Sequence, residues 1–282
     1  MLARVADSLY WMARYLERAE HTARLMEAQL ELALDEAPHA ASLGWICLLN
    51  GLRLDMPLGA SVSPREVTAA VVFDPRQPNS LMNCVSAARE NARQIREQLT
   101  GEMWEELNRL YLYLRDLKID GIWQSGPVES LHEIRRGAMA FAGAADATLD
   151  HGEGWEFIRL GRFVERTINV AWLLDAHFGM RGIEDCEPSA EDTVAWAGLL
   201  RGCTAFDPYC KRYTVALNPR QILSFLLLDG DFPNSVRFSA AQIELAVNQI
   251  AGWTGTPRGA RSTTRTARTP APPPRAGASA PP

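Results

Sequence analysis

The chain has 282 residues, 47% of them hydrophobic and 22% charged, enough to bury a sizeable core in one domain or two small ones. Without residues 254–282 it keeps 24 basic and 34 acidic residues, and a net charge of −10 argues against nucleic acid as a partner. Arg4, Asp7, Arg14 and Glu17 interrupt any secretory signal, and the apolar patch at 43–52 is too short to span a bilayer, so no membrane role is expected.

The first element is a helix containing WMARYLERAEHTAR (11–24). At helical spacing Leu9, Met12, Ala13, Leu16, Ala23 and Met26 form one apolar face, with Arg14, Glu17, Arg18 and His21 broadly opposite. Tyr10, Trp11 and Leu25 stand among those charges, so the helix is apolar nearly all round and its charges are expected to be at least partly buried. The same Arg-x-x-Glu-Arg string returns as Arg162, Glu165 and Arg166, 148 residues on.

Two further repeats follow in the same order. Trp45-x-x-Leu48-Leu49-x-Gly51 recurs as Trp196-x-x-Leu199-Leu200-x-Gly202, and VVFDPRQPNSL (71–81) as LLLDGDFPNSV (226–236). Ordered matches at growing offsets indicate a duplication. The expected fold is all-α, an internally duplicated helical bundle with pseudo-two-fold halves. Half one covers 1–118, a connecting helix 127–149, and half two 151–253.

Each half reads as an Arg/Glu helix, a Trp-Leu-Leu helix, a loop with Asp and Pro-Asn-Ser, and a further helix. Asn79 and Ser80, with their copies Asn234 and Ser235, are the N-cap candidates. Leu81 through Leu99 keep helical spacing up to a break at Thr100-Gly101, and EMWEELNRLYLYLRDL completes half one. IDGIWQSGP reads as a turn, and Pro127 opens the connecting helix.

Half two lacks a counterpart of that last helix. Shifted by 155, it falls on PRGARSTTRTARTPAP, inside the Pro/Ala/Arg/Thr-rich stretch 254–282, which is expected to be disordered. An apolar groove is therefore expected to be under-covered near 236–250.

Buried charges need partners. Arg14 can reach Glu17 at i,i+3, whereas Arg18 must look off its own helix. Reciprocal pairs across the halves, Arg18 with Glu165 and Arg166 with Glu17, would serve. Such a network either fixes helix register or forms a binding or acid/base site.

Other constellations are weaker. Glu129-x-x-His132, with Glu133, has the spacing of a di-iron ligand pair but no second copy, and Glu17/His21 has Asn169 where a second His would stand, so no metal is expected. Five cysteines without a CxxC pair read as reduced thiols, and Cys203 and Cys210, weighed as nucleophiles beside His177 or Asp207, read as small buried residues. Arg93 is expected to pair with Glu97 within the Arg89, Arg93, Arg96 cluster. No phosphate-cradling Gly-rich loop is present, so neither ATP nor another cofactor is expected.

The strings SLYWMARYLERAEHTARLM, PNSLMNCVSAARENARQIREQLTGEMWEELNRLY and WEFIRLGRFVERTINVAWLL together resemble the bacterial alpha-E family, a helical domain named for a Glu-Arg motif that falls here on Glu17-Arg18 and Glu165-Arg166. The resemblance runs from residue 1 to about 240. It implies a cytoplasmic bacterial protein working beside a circularly permuted ATP-grasp ligase and transglutaminase-like or Ntn-hydrolase-type peptidases. That company suggests a peptide synthesis or modification system built on carboxylate-amine ligation.

The expected function is to bind such a ligase, or its peptide-like substrate, through a cleft lined by Arg14, Glu17, Arg18, Arg162, Glu165 and Arg166. The alternatives are an enzyme in its own right with Glu17 and Glu165 as acid and base, or a purely structural helical scaffold.

Overall fold

A computed structural model describes residues 1–34, 38–54, 56, 62–181, 190–213 and 216–254. Among these residues the chain is all helical, without a strand. The helices are α1 (Ala3–Leu32), α2 (Pro38–Leu52), α3 (Pro64–Phe73), α4 (Leu81–Gln94), α5 (Gly101–Asp116), α6 (Ile119–Ser125), α7 (Pro127–Thr148), α8 (Glu153–Arg181), α9 (Ala190–Gly202), α10 (Phe206–Tyr213), α11 (Pro219–Leu228) and α12 (Val236–Thr254). The expected disordered tail, Thr254 aside, lies outside the described residues, as does Cys186.

Local chemistry sets the boundaries. Ser80 and Ser235 cap α4 and α12, their hydroxyls accepting from the Asn83 and Phe238 amides at 3.4 and 3.0 Å. Asn79 and Asn234 do not cap; their side chains turn to Arg18 and Thr204. Thr100 caps α5, while α4 stops at Gln94 and a single 3₁₀ turn, Arg96–Gln98, carries the chain to it. That early stop breaks the expected Arg93–Glu97 pair, and Arg93 reaches back to Glu90 at 2.7 Å.

Two expectations about loops are corrected. IDGIWQSGP contains the short helix α6, because Ile122 finds a fully buried site. The apolar VVF and LLL runs are the last turns of α3 and α11, with Asp74 and Asp229 as their C-terminal caps, so a helix precedes each Asp loop.

The core is organised around α1, which packs on α8, α4 and α7, while α8 also holds α12 and α2. α1 and α8 run parallel. The Met1 amino group meets Glu153 at 2.7 Å, Tyr10 and Ala13 lie against Gly161, and further along Arg18 reaches Glu165. The approach at Gly161 is close enough that a Cβ there would stand 2.3 Å from the Tyr10 carbonyl oxygen. The second helices sit crosswise: Gly51 of α2 rests on Leu173 of α8, and Gly202 of α9 on Leu25 of α1.

Both crosswise helices end alike. Arg53 and Thr204 have φ of 57° and 52°, and the Leu54 and Ala205 amides reach back to the Leu49 and Leu200 carbonyls at 3.0 and 2.7 Å. This is a Schellman closure made twice without glycine at the left-handed position. On α12 Leu245 and Val247 are each about half exposed, but two positions apart they face different sides of the helix and do not make the expected apolar groove.

Candidate functional site

The two Glu-Arg strings meet at the centre of the α1/α8 contact. Glu165, 0% exposed, accepts from Arg14 Nε at 2.8 Å and Arg18 Nε at 2.6 Å, with Arg53 Nη2 at 3.6 Å. Glu17 accepts from Arg166 Nε at 2.6 Å and Nη2 at 3.1 Å, and the buried Arg162 Nε lies 3.4 Å away without a hydrogen-bond partner among the described residues. The reciprocal pairs expected from the repeat are present. The local Arg14–Glu17 pair is not, because Glu165 lies on the neighbouring helix where the Arg14 fork can meet it while Arg18 takes the other oxygen.

In both carboxylates burial acts to raise the pKa and the arginines overcome it. Arg18 and Arg14 hold Glu165, and Arg166 and Arg162 hold Glu17, below the usual carboxylate value. Both groups are therefore anions. Neither is set up as a general acid, and no substrate atom can reach Glu165.

The surroundings of the two clusters differ. Around Glu165 the structure is closed: the Arg14 guanidinium stacks over Trp11 at 4.6 Å and donates to the Tyr10 hydroxyl at 3.3 Å, and Arg18 donates to Asn79 Oδ1 at 2.7 Å. Cys84, buried beside this cluster, has its thiol pushed up to about 12 by burial. Around Glu17 the positions matching Tyr10 and Trp11 hold Ile158 and Arg159, which supply no ring. Arg159 is drawn off to Glu156 and Gln242. Arg162 is left 37% exposed, and its two terminal nitrogens make no hydrogen bond among the described residues.

Arg162 opens on a cavity of about 630 Å³ between α7 and the α1/α8 pair, with Gln242 of α12 and the Pro233-Asn234 loop at its rim. Its apolar wall includes Leu16, Phe141, Trp155 and Phe163. Its polar wall carries Arg24, Arg135, Arg159, Arg162 and Arg166 against Glu17, Glu20 and Asp146. With Arg135 held by Glu27 and Arg159 by Glu156, the five guanidinium groups have as many carboxyl groups around them, and among the described residues Arg162 alone keeps its terminal nitrogens open to the cavity.

Of the six candidate residues, Glu17, Arg162 and Arg166 line this cavity, whereas Arg14, Arg18 and Glu165 lie behind it. Arg24, paired with Glu20, and Arg135, paired with Glu27 at 3.0 Å, complete it. The Glu20/Arg24 spacing one turn below Glu17 was a readable signal for the first pair; nothing in the sequence marked the α7 wall.

His21, between the clusters, is buried with Nε2 unpartnered, and burial, with Arg24 next, pushes its pKa down to about 3. His132 bonds Arg135 at 2.9 Å and Glu133 pairs with Arg136. His177 Nδ1 lies 3.1 Å from Cys47 Sγ rather than beside Cys203, whose thiol is buried and pushed up to about 12. Among the described residues no group of three or more His, Cys, Asp or Glu is placed to hold a metal ion, and no helix is long and apolar enough to cross a membrane.

Comparison with known proteins gives one family. The model of Alpha-E, described as a predicted alpha-helical domain with a conserved ER motif, matches residues 1–271. Similar relatives are an uncharacterized protein of Mycobacterium bovis, 26% identical over 280 residues, and one of Mycobacterium tuberculosis, 25% identical over the same length. Each alignment covers 90% of this chain and 30% of the relative, so the chain spans less than a third of their length. No solved structure matches the chain.

Proposed function

Starting from the membership of this chain in the Alpha-E family, we propose that it is a binding domain that works in the cytoplasm beside a carboxylate-amine ligase of the ATP-grasp type. It holds that ligase's peptide-like substrate, or the ligase itself, in the cleft at Glu17, Arg162 and Arg166. The observation that carries this reading is the open Arg162 beside a buried Glu-Arg pair, facing a cavity with both an apolar and a charged wall. Such a combination is how small-molecule and peptide-end sites are commonly built. The ATP-grasp partnership, the peptidases and the compartment rest on the family resemblance, and the greater length of the relatives is compatible with further domains joined to this one.

In the same reading the two halves are copies of one unit about a pseudo-two-fold axis. The parallel Arg/Glu helices, the crosswise second helices and the paired closures at Arg53 and Thr204 support it. One copy of the string then serves as scaffold and the other as site.

The test is to co-express the chain with a permuted ATP-grasp ligase, then purify and assay ATP-dependent amide formation with and without it. Co-purification, or a rise in product that Arg162→Gln removes, supports the reading. Absence of both overturns it.

A further inference from the structure

The cavity's own chemistry says more about its occupant. The geometry points to a monoanionic carboxylate carrying an apolar body, its carboxylate on the Arg162 fork and its body against Trp155, Phe163 and Phe141. This rests on the binding role proposed above and adds the ligand class.

Arg162 supplies the anchor. Its neighbour Glu17 already accepts from two of the three Arg166 nitrogens, and Arg162 comes no nearer to that carboxylate than Nε at 3.4 Å, without a hydrogen bond. Two parallel N–H donors on the guanidinium edge are therefore left for an incoming group, and a carboxylate accepts such a pair in one plane. The matching arginine of the other string, Arg14, shows what a satisfied site looks like: Tyr10 takes one terminal nitrogen and Trp11 covers the guanidinium face. Arg162 has no such hydroxyl partner among the described residues, and its guanidinium lies 5.9 Å from the Phe163 ring, a looser contact than the 4.6 Å of Arg14 on Trp11.

Charge selects the valence. The wall's five guanidinium groups are matched by Glu17, Glu20 and Asp146 together with Glu27 and Glu156, which hold Arg135 and Arg159, so a single negative charge on the open Arg162 edge disturbs the balance less than a phosphate dianion, which those carboxylates repel. Glu20 and Arg24 hold each other, as do Arg166 and Glu17, so these pairs remain fixed while Arg162 receives the ligand.

The body follows from shape. The Trp155 ring is held by its stack on His151 at 4.3 Å, and Phe163, Phe141 and Leu16 complete the apolar wall. A volume of about 630 Å³ lies within the range of small-molecule pockets and exceeds the needs of a bare ion.

The experiment titrates the full chain with N-acetyl-phenylalanine, N-acetyl-phenylalanine amide, 3-phenylpropionate and inorganic phosphate, read by ligand-observed NMR. The acid is expected to bind at least about tenfold more tightly than its amide, and Arg162→Gln to remove that preference without changing the thermal transition. Equal binding of 3-phenylpropionate assigns the site to simple acyl carboxylates; weaker binding assigns it to peptide C-termini. Both outcomes keep the carboxylate. Equal affinity of acid and amide, tighter phosphate binding, or no saturable binding by any probe overturns the inference. Ligase co-purification measured on the unsubstituted chain separates the two failures: a partner captured by a chain that shows no carboxylate preference leaves the binding domain standing without this ligand class.

Discussion

Glu17 and Glu165 stand side by side on parallel helices, and each is held by the arginines of the other's helix. The arrangement ties α1 to α8 through charge as well as packing. It also gives the two carboxylates different fates, since one is sealed under Arg14, Arg18 and Asn79 and the other borders a cavity.

Replacing Glu165 by Gln leaves Arg14 and Arg18 without their anion in a closed site. The expected loss of unfolding free energy is roughly 3 to 5 kcal/mol, as for other buried pairs broken on one side. Glu17→Gln is expected to lose less, about 1 to 3 kcal/mol, because Arg162 can turn to water in the cavity. Urea unfolding of both variants checks the order; a larger loss at Glu17 would contradict it.

Within α8 two glycines should respond oppositely to alanine. At Gly161 the new Cβ meets the Tyr10 carbonyl oxygen, which is backbone and cannot step aside, so a loss of about 1 to 3 kcal/mol is expected. At Gly179 nothing lies within 4 Å of a new Cβ, and alanine should add about 0.5 to 1 kcal/mol through helix propensity. Thermal melts of the pair give the comparison.

His21 makes stability depend on pH. Its folded pKa of about 3 lies below the unfolded value near 6.5, so the unfolded chain takes up the proton first. The contribution of neutral His21 is complete above pH 6.5 and is lost as pH falls toward 3. Glu17 and Glu165, held below their ordinary values, add a loss of the same sign that begins only near the usual carboxylate range. Between pH 6.5 and 5 the His21 contribution should fall by roughly 1 to 2 kcal/mol, opposed by Glu20 and Glu27, whose carboxyls burial holds above the usual value. His21→Asn, which copies the residue at Asn169, should remove most of that early loss when denaturant midpoints are compared at both pH values.

The sequence made the reciprocal pairs readable because an Arg-x-x-Glu-Arg string on a helix apolar all round cannot satisfy itself. Neighbouring Glu17 and Arg18 do not face each other on a helix, so the partners had to come from another element. The choice made by Arg14 was not readable, since a local i,i+3 carboxylate and a tertiary one compete and only the depth of the helix contact decides. The cavity was hidden for a similar reason. Its far wall comes from α7, which takes no part in the repeat, and its openness depends on Ile158 and Arg159 standing where Tyr10 and Trp11 seal the other string. The α6 turn of helix and the early stop of α4 were set by the buried sites of Ile122 and Ile95, which local pattern does not reveal.

The central claim is that one string is scaffold and the other is site, and the paired variants Arg14→Gln and Arg162→Gln test it in one experiment. Each is measured for unfolding free energy and for the affinity of N-acetyl-phenylalanine. Arg14→Gln is expected to lower stability by about 2 kcal/mol or more and leave affinity nearly unchanged; Arg162→Gln should leave stability within about 0.5 kcal/mol and weaken binding at least about tenfold. Equal effects of the two substitutions on both quantities, or the reverse assignment, would contradict the account.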